Sequence, residues 1–107
     1  MGKVLKPEAA FWKEQSGFVA QAAMQAAGLQ PIYREKFAVN VWAWWLSKRS
    51  QIDADGALKL VLDSLNGIVW SDDKFSLPRW IDYDFDAKNP RIELEIICPP
   101  PILLEAA

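Results

Sequence analysis

The chain has 107 residues, of which 51% are hydrophobic and 24% are charged, a composition typical of one globular domain and not of a disordered segment. Its formal net charge is −2 and its isoelectric point is about 5.0, so no overall excess of basic residues marks it for nucleic-acid binding. The absence of histidine excludes Ser-His and Cys-His nucleophile pairs and imidazole zinc sites, and the single cysteine excludes cysteine-rich metal clusters. Any bound metal is therefore predicted to be a hard cation with oxygen ligands, such as Mg²⁺ or Mn²⁺.

The first predicted element is a helix that begins at Pro7 and ends before Gly28. The alanine-rich sequence between these two residues strongly favours a helix. The spacing of the larger side chains predicts the face that contacts the core, which comprises Phe11, Phe18, Ala22 and Leu29, widened by Trp12, Val19 and Ala26.

Residues 37–45 alternate in the way that is typical of a strand. Toward the end of this segment both faces are apolar, because Trp42 and Trp44 lie on one face and Trp45 on the other. Such a pattern indicates a central strand covered on both sides, or a strand at a subunit interface. Base stacking by these tryptophans is a weaker interpretation, since aromatic residues at strand spacing more often belong to a core or an interface.

Two cations, Lys48 and Arg49, lie between serines directly after this strand. A solvated loop is the simplest interpretation of these residues. Contact with DNA phosphates is the alternative, because an acidic segment that is a candidate metal site follows at once.

The stretch from Gln51 to Lys74 carries two acidic pairs, one before and one after a short predicted helix that ends at Asn66-Gly67. The pairs are Asp53 with Asp55 and Asp72 with Asp73. Asp55 is predicted to cap the helix. The predicted core-facing residues are Leu58, Val61, Leu62 and Leu65. The two pairs can share one divalent cation only if both ends of the helix lie at the same edge of the fold.

Carboxylates that hold Mg²⁺ can support phosphodiester hydrolysis, because the ion activates water and neutralises the charge that develops on the phosphate. Lys59 lies four residues beyond Asp55 and can partly offset the repulsion among the acids. The alternative is that Asp55 only caps the helix and that Asp72-Asp73 only shape a turn. Asp53-Ala54-Asp55-Gly56 also resembles the nucleophile loop of haloacid-dehalogenase-type phosphatases. That is a weaker alternative, because the polar sequence SKRSQ precedes Ile52 where such a loop follows a buried strand.

The last third of the chain predicts two strands, at residues 75–86 and 91–97, joined as a hairpin. Pro78 indicates an edge position or a bulge in the first of them. Alternation assigns Ile81, Tyr83 and Phe85 to one face and Trp80, Asp82, Asp84 and Asp86 to the other. Residues 98–107 are predicted to form an extended proline-rich tail. The predicted fold is one α+β domain over residues 1–107, with a small mixed or antiparallel sheet and two helices on one face.

The acidic pattern as a whole resembles the RusA family of Holliday junction resolvases. The family signature is Asp-x-Asp-Asn at the start of a helix, a lysine four residues after the second aspartate, an Asp-Ala-Leu-like step, and an Asp-Asp pair after the helix. The matching residues here are Asp53-Ala54-Asp55, Lys59, Asp63-Ser64-Leu65 and Asp72-Asp73.

This resemblance implies a homodimer of α/β subunits that cuts two opposed strands of a four-way DNA junction with Mg²⁺, for which Mn²⁺ can substitute. It implies Asp53, Asp55 and Asp73 as metal ligands and Lys59 as the catalytic lysine. Asp72 is then an accessory acid and Asp63 a supporting residue. The residues assigned to the DNA backbone are Lys48, Arg49 and Lys74.

Two features depart from the family pattern. Gly56 stands where the family usually has asparagine, so an amide that would orient a metal ligand is missing. Only residues 1–6 precede Pro7 where family members have a strand, so the sheet is expected to lack that strand and to have an edge that is unpaired or filled by a partner. The chain is therefore interpreted as a truncated or divergent member. A catalytically impaired DNA-binding or assembly module with the same fold is the alternative function.

The sequence contains no signal peptide and no apolar run of about 18 residues, which predicts a cytoplasmic protein without a membrane partner. A phage or prophage origin is what the family resemblance suggests.

Overall fold

The computed structural model describes residues 2–5 and 12–101, and of residues 2–5, 13 and 14 it describes the backbone alone. In chain order, the elements are β1 (Gly2–Leu5), α1 (Trp12–Ala27), β2 (Phe37–Trp45), α2 (Ala54–Leu65), β3 (Ser76–Phe85) and β4 (Arg91–Ile97), with a 3₁₀ turn at Asp73–Phe75. The predicted helix start at Pro7, the predicted core residue Phe11 and the end of the tail at residues 102–107 lie outside the described residues.

The four strands form one mixed sheet in the order β1-β4-β2-β3. β3 is parallel to β2, and β4 is antiparallel to both β1 and β2. β1, β2 and β3 therefore run in the same direction, and α1 and α2 are the crossovers that join them. Both crossovers move across the sheet in the same direction, so their common right-handedness places both helices on one face. This confirms the predicted α+β fold with two helices on one face of a mixed sheet.

The core lies between the helices and the covered face of the sheet. On β2 the core residues are those with odd numbers. On β4 they are the residues that pair with Val39, Val41 and Ala43 of β2. The strand residues in this core are Phe37, Val39, Val41, Ala43 and Trp45 on β2 and Ile92, Leu94 and Ile96 on β4. From α2 the buried residues are Ala57, Val61 and Leu65, while Leu58 and Leu62 are only partly buried against this core. The central position predicted for the tryptophan strand is confirmed.

The face of α1 that packs on the sheet differs from the predicted one. The buried positions recur at every fourth residue and are Trp12, Ser16, Ala20 and Met24. Phe18 is 78% exposed and Ala22 is exposed, so the prediction that they face the core is wrong. The small Ser16 and Ala20 allow α1 to lie close to the sheet, and an alanine-rich helix has too few large side chains to reveal that face by periodicity.

The expectation that the first strand is missing is also wrong. Gly2–Leu5 pairs with β4 from Gly2 opposite Ile97 to Leu5 opposite Leu94, and so supplies one of the two outer strands of the sheet. A strand of four residues is too short to show a clear alternation in sequence. β1 therefore comes from this chain, and no partner has to supply it.

The predicted hairpin of the last two strands does not form, because β3 and β4 lie on opposite sides of β2. β3 is exposed at seven of its ten positions and suits an edge, whereas β4 alternates cleanly and suits an interior place between β1 and β2. The link between them crosses the end of β2, where the Asp86 N–H donates to the Trp45 carbonyl. Arg91 holds this link through Asp86 at 3.1 Å and Glu93 at 2.8 Å, and the hydrogen bond to Glu93 is the main cause of its raised pKa.

A bulge changes which side chains of β3 share a face. Val41 pairs with Trp80 but Trp42 pairs with Asp82, so Ile81 is the extra residue. Trp80 therefore lies on the face of Tyr83, with the two rings stacked at 6.4 Å, and the prediction that it shares a face with Asp82 is wrong. The predicted edge position of this strand is confirmed.

Candidate functional site

The two acidic pairs lie near opposite ends of α2. Asp53 is the N-cap of this 12-residue helix, which is about 18 Å long. The chain after Leu65 forms a tight turn closed by the Gly67 N–H, which donates to the Trp70 carbonyl at 2.7 Å, and Asp72 follows directly. Trp70 stacks on Phe37, at the start of β2, whereas α2 follows the end of β2. The crossover thus places the first pair at the carboxyl end of the parallel strands and the second at their amino end.

The sequence predicted Asp55 as the helix cap, but the residue that caps α2 is Asp53. The Oδ1 atom of Asp53 accepts a hydrogen bond from the Gly56 N–H at 2.9 Å. Asp55 lies in the first turn, is exposed, and has no recorded hydrogen-bond partner for its carboxylate among the described residues. Of the first pair, Asp55 is therefore the carboxylate with both oxygens available to a ligand.

Lys59 lies on the exposed side of α2, one turn after Asp55 and one turn before Asp63. Its Nζ atom is 3.0 Å from the Asp63 carboxylate, and both side chains are largely exposed, at 77% and 57%. An exposed helical pair of this kind contributes only about 0.3–0.5 kcal/mol. Lys59 can therefore leave Asp63 for a phosphate at little cost.

Lys48 and Arg49 lie in a tight turn that leads toward α2. The Ser50 N–H and hydroxyl both donate to the Ser47 carbonyl, and the Ser47 N–H donates to the Ser50 hydroxyl at 3.0 Å. The flanking serines therefore fix the turn, and both cations are exposed. The structure places these two residues in the segment that carries Asp53 and Asp55.

Lys74 lies at the other end of α2 with the second acidic pair. Its N–H donates to the Asp72 carboxylate at 3.0 Å, which caps the 3₁₀ turn at Asp73–Phe75. Its ammonium group lies 5.3 Å from the centre of the Phe75 ring. Lys74 lines a groove together with Tyr33 and Arg34, two residues that the sequence analysis missed. They precede β2 and approach residues 71–75 only through the tertiary fold, so no local pattern marks them.

A model of the family described as endodeoxyribonuclease RusA matches residues 2–97. The chain belongs to the RusA family. The match spans all four strands and both helices of the described residues. The RusA family consists of endodeoxyribonucleases that act on branched DNA. A search of curated proteins found no match. None of the helices in the described residues has the length and hydrophobicity needed to span a bilayer.

The three acids that the RusA resemblance implies as metal ligands do not converge within one chain. Among the described residues, no three carboxylate or thiol side chains are placed so that they could hold one ion. The separation follows from the length of α2, which lies between Asp55 and Asp73. Mg²⁺ itself requires only one or two carboxylates when waters and a substrate phosphate complete its shell, a requirement that Asp53 and Asp55 fit. The three-ligand set stays a prediction.

Gly56, where the RusA family usually has asparagine, permits the cap made by Asp53. A Cβ atom at this position would lie 2.7 Å from Asp53 Oδ1 and 2.9 Å from the Cγ2 atom of Ile52. Both distances are shorter than real contacts. A residue with a Cβ atom therefore requires the Asp53 carboxylate and the Ile52 side chain to shift, so Gly56 is coupled through space to one of the candidate ligands.

Gly56→Ala is expected to change the free energy of unfolding by little, because two effects oppose each other. Alanine favours the helix by up to about 1 kcal/mol over glycine, and displacement of the Asp53 carboxylate weakens a cap that contributes about 1 kcal/mol. In an Asp53→Ala background the cap is already absent, so the same substitution should be more favourable by up to about 1 kcal/mol. Urea unfolding of the four proteins in this cycle measures the difference. Additive effects of the two substitutions would contradict the coupling.

The opposite face of the sheet is unsuited to DNA. Trp42 and Trp44 lie there half-buried, and the guanidinium of Arg91 covers Trp44 at 4.1 Å from the ring centre. Asp82 and Asp84 pair with these tryptophans from the neighbouring strand and add negative charge. Base stacking on these indoles is therefore disfavoured by both cover and charge.

Proposed function

We propose that this chain is a Mg²⁺-dependent endonuclease that resolves four-way DNA junctions by paired nicks and that accepts Mn²⁺ in place of Mg²⁺. The observation that carries the proposal is the match to the RusA family over nearly the whole chain, together with the exposed array of Asp53, Asp55 and Lys59 along α2. A cation held there supplies an activated water and neutralises charge on the phosphate. Asp53 and Asp55 hold it, and Lys59 contacts the phosphate that is cut.

The basic residues Lys48 and Arg49 contact the sugar-phosphate backbone next to this centre. Their turn is fixed by serine hydrogen bonds, and its cations are exposed. Backbone contacts of this kind position the DNA without reading its sequence. They therefore suit an enzyme that recognises the shape of a junction.

We also propose that two copies share each metal centre. Asp73 cannot join Asp53 and Asp55 within one chain, because about 18 Å of helix separates them. In a two-fold dimer the interface is self-complementary, so Asp73 of each copy can approach the first acidic pair of the other. Asp72 then supports Asp73 as an accessory acid. Such a homodimer has two equivalent centres, which matches two symmetric nicks.

The experiment that tests the activity is incubation of the protein with a labelled four-way junction and with a linear duplex of the same sequence. Symmetric nicks in the junction alone, dependent on Mg²⁺ or Mn²⁺ and lost with EDTA, are expected. Binding of the junction without nicks in either metal would contradict the proposal. That outcome would favour the second candidate, a DNA-binding module without activity, for which the engagement of Asp53 in the helix cap is the supporting observation.

A mixture of Asp55→Asn and Asp73→Asn proteins tests the shared centre. Each variant alone is expected to be inactive, since each of its centres lacks one ligand. In a mixed dimer, one centre has both wild-type aspartates and the other has neither, so nicking of one strand should return. About half of the dimers are mixed after random exchange of subunits. Activity that does not return after denaturation and joint refolding would place all three ligands in one chain or exclude Asp73 as a ligand.

A further inference from the structure

A groove of about 220 Å³ lies at the amino end of the parallel strands, away from Asp53 and Asp55. It is lined by Tyr33, Arg34, Ser71, Asp72, Lys74 and Phe75. Sites that enclose a drug-sized molecule have volumes of about 300–1,000 Å³. The groove is therefore suited to a smaller group, such as one phosphodiester with part of a base.

The segment that carries Tyr33 and Arg34 is held firmly in place. The Ile32 N–H donates to the Val69 carbonyl and the Ser71 N–H donates to the Ile32 carbonyl, both at 2.8 Å. The Arg34 N–H donates to the Ser71 hydroxyl oxygen at 3.0 Å. Arg34 has a φ of 52°, in the left-handed region that costs an ordinary residue about 1–2 kcal/mol. Such a conformation persists where surrounding contacts impose it, and it is found preferentially at binding sites.

The charges and rings of the groove fit a single nucleotide. Arg34 and Lys74 are exposed and have no recorded ion-pair partner among the described residues, and Asp72 is the one acid in the lining. The lining thus has a net charge of +1, which matches one phosphodiester. The Ser71 hydroxyl accepts from Arg34 and keeps its own proton for a phosphate oxygen. Tyr33 is 70% exposed, which leaves its ring free for stacking.

We propose that this groove binds one nucleotide of an unpaired DNA strand. Arg34 and Lys74 hold its phosphodiester, and its base stacks on Tyr33. A stacking platform needs an unstacked base, which single strands and the centre of a branched junction provide. The proposal rests on the proposed function in that the strand belongs to the substrate of the same enzyme. Within one chain, the groove is a strand-holding site at the end of α2 opposite to Asp53 and Asp55, and in the proposed dimer it lies beside the shared metal centre, because Asp72 and Lys74 flank Asp73.

The test is the affinity of a short fluorescent single strand, measured by anisotropy in metal-free buffer, where no cleavage occurs. Arg34→Gln and Lys74→Gln are each expected to weaken binding about fivefold to tenfold, the effect of a charge-assisted hydrogen bond discounted for exposure. The double variant should lose less than the product of both, because the two side chains hold one phosphate. Each should also lower the slope of log affinity against log salt by about 0.7.

Lys36→Gln is the matched control, because it removes the same charge two residues from Arg34 but outside the groove. Its affinity should stay within twofold of wild type. Equal losses for Arg34→Gln and Lys36→Gln would overturn the proposal, and so would a wild-type protein that does not bind the strand. The varied side chains are exposed, so folding should be unaffected, which circular dichroism checks.

Tyr33→Ala separates the base from the phosphate. It should weaken binding of a normal strand about tenfold, within the range for one stacked base, and leave an abasic strand unaffected. Tyr33→Phe should restore wild-type affinity. An equal loss for both strands would overturn the stacking role. Binding and nicking are separate readouts, so a protein that shows this pattern without cutting would refute the proposed function and keep the groove.

Discussion

Asp55→Asn is expected to abolish nicking of a four-way junction while leaving the fold and junction binding intact. The carboxylate of Asp55 is exposed and has no recorded partner among the described residues, so no interaction that stabilises the chain is lost. Its negative charge near the helix start contributes about 0.3–1 kcal/mol, the most that stability should fall. Loss of groups that merely support a metal ligand lowers activity about 10–100-fold, so loss of a ligand should lower it by at least about 100-fold. Single-turnover cleavage with Mg²⁺ measures the rate.

Asp63→Asn is the matched control for this prediction. It removes the same charge from the same exposed side of α2, two turns further on, and it breaks the pair with Lys59. The RusA resemblance implies a supporting role for Asp63, but its pair with Lys59 is exposed and weak, so the nicking rate should fall by no more than a few-fold. A rate for Asp55→Asn equal to that of Asp63→Asn would show that Asp55 does not bind the ion.

The sequence predicted the elements whose own periodicity is strong. β2 alternates over nine residues, and the alternation is visible because all its odd positions are buried. In α2 the apolar residues cluster on one side, so the helix and its end at Asn66 were predictable. In each element the apolar residues follow a period, of 2 for the strand and 3.6 for the helix, that places them on one side of only one type of regular structure.

The errors come from features that depend on the whole fold. Whether β3 pairs with β4 or with β2 depends on the crossover made by α2, which returns the chain to the end of the sheet where β2 begins, so that β3 runs parallel to β2. The bulge at Ile81 places Trp80 and Asp82 on opposite faces, and the alternation of residue types does not show its position. Pattern reasoning gives the face of a residue only while the register stays regular.

The candidate site shows the same limit. The residue types and spacing of Asp53, Asp55 and Lys59 were sufficient to predict one exposed array. Whether Asp73 joins that array depends on the direction of a helix that the sequence places between them. Because α2 runs once along the sheet and does not return, the acidic pairs separate in one chain. The family resemblance already implied a homodimer, whereas the proposal that two copies share each centre rests on this topology.

Trp70→Ala is expected to lower the free energy of unfolding by about 3–5 kcal/mol, the range for truncation of a buried aromatic residue. Trp70 is fully buried, and its ring stacks on Phe37 at 4.8 Å. Its backbone closes the turn after α2 and bridges to Ile32, so the loss also loosens the segments that hold Asp73 and Arg34. The free energy of unfolding of a whole domain is only about 5–15 kcal/mol, so the variant should unfold at a much lower urea concentration than wild type.

Phe18→Ala is the control that distinguishes the observed core from the one that periodicity predicts. Phe18 is 78% exposed, so its truncation should change stability by no more than about 0.5 kcal/mol. Far-UV circular dichroism in urea is the suitable measurement, because the six tryptophans complicate fluorescence. Equal losses for the two variants would place Phe18 in the core and contradict the packing of α1 on the sheet. A large loss for Trp70 alone supports a rigid connection from α2 to β3, on which the separation of the two acidic pairs depends.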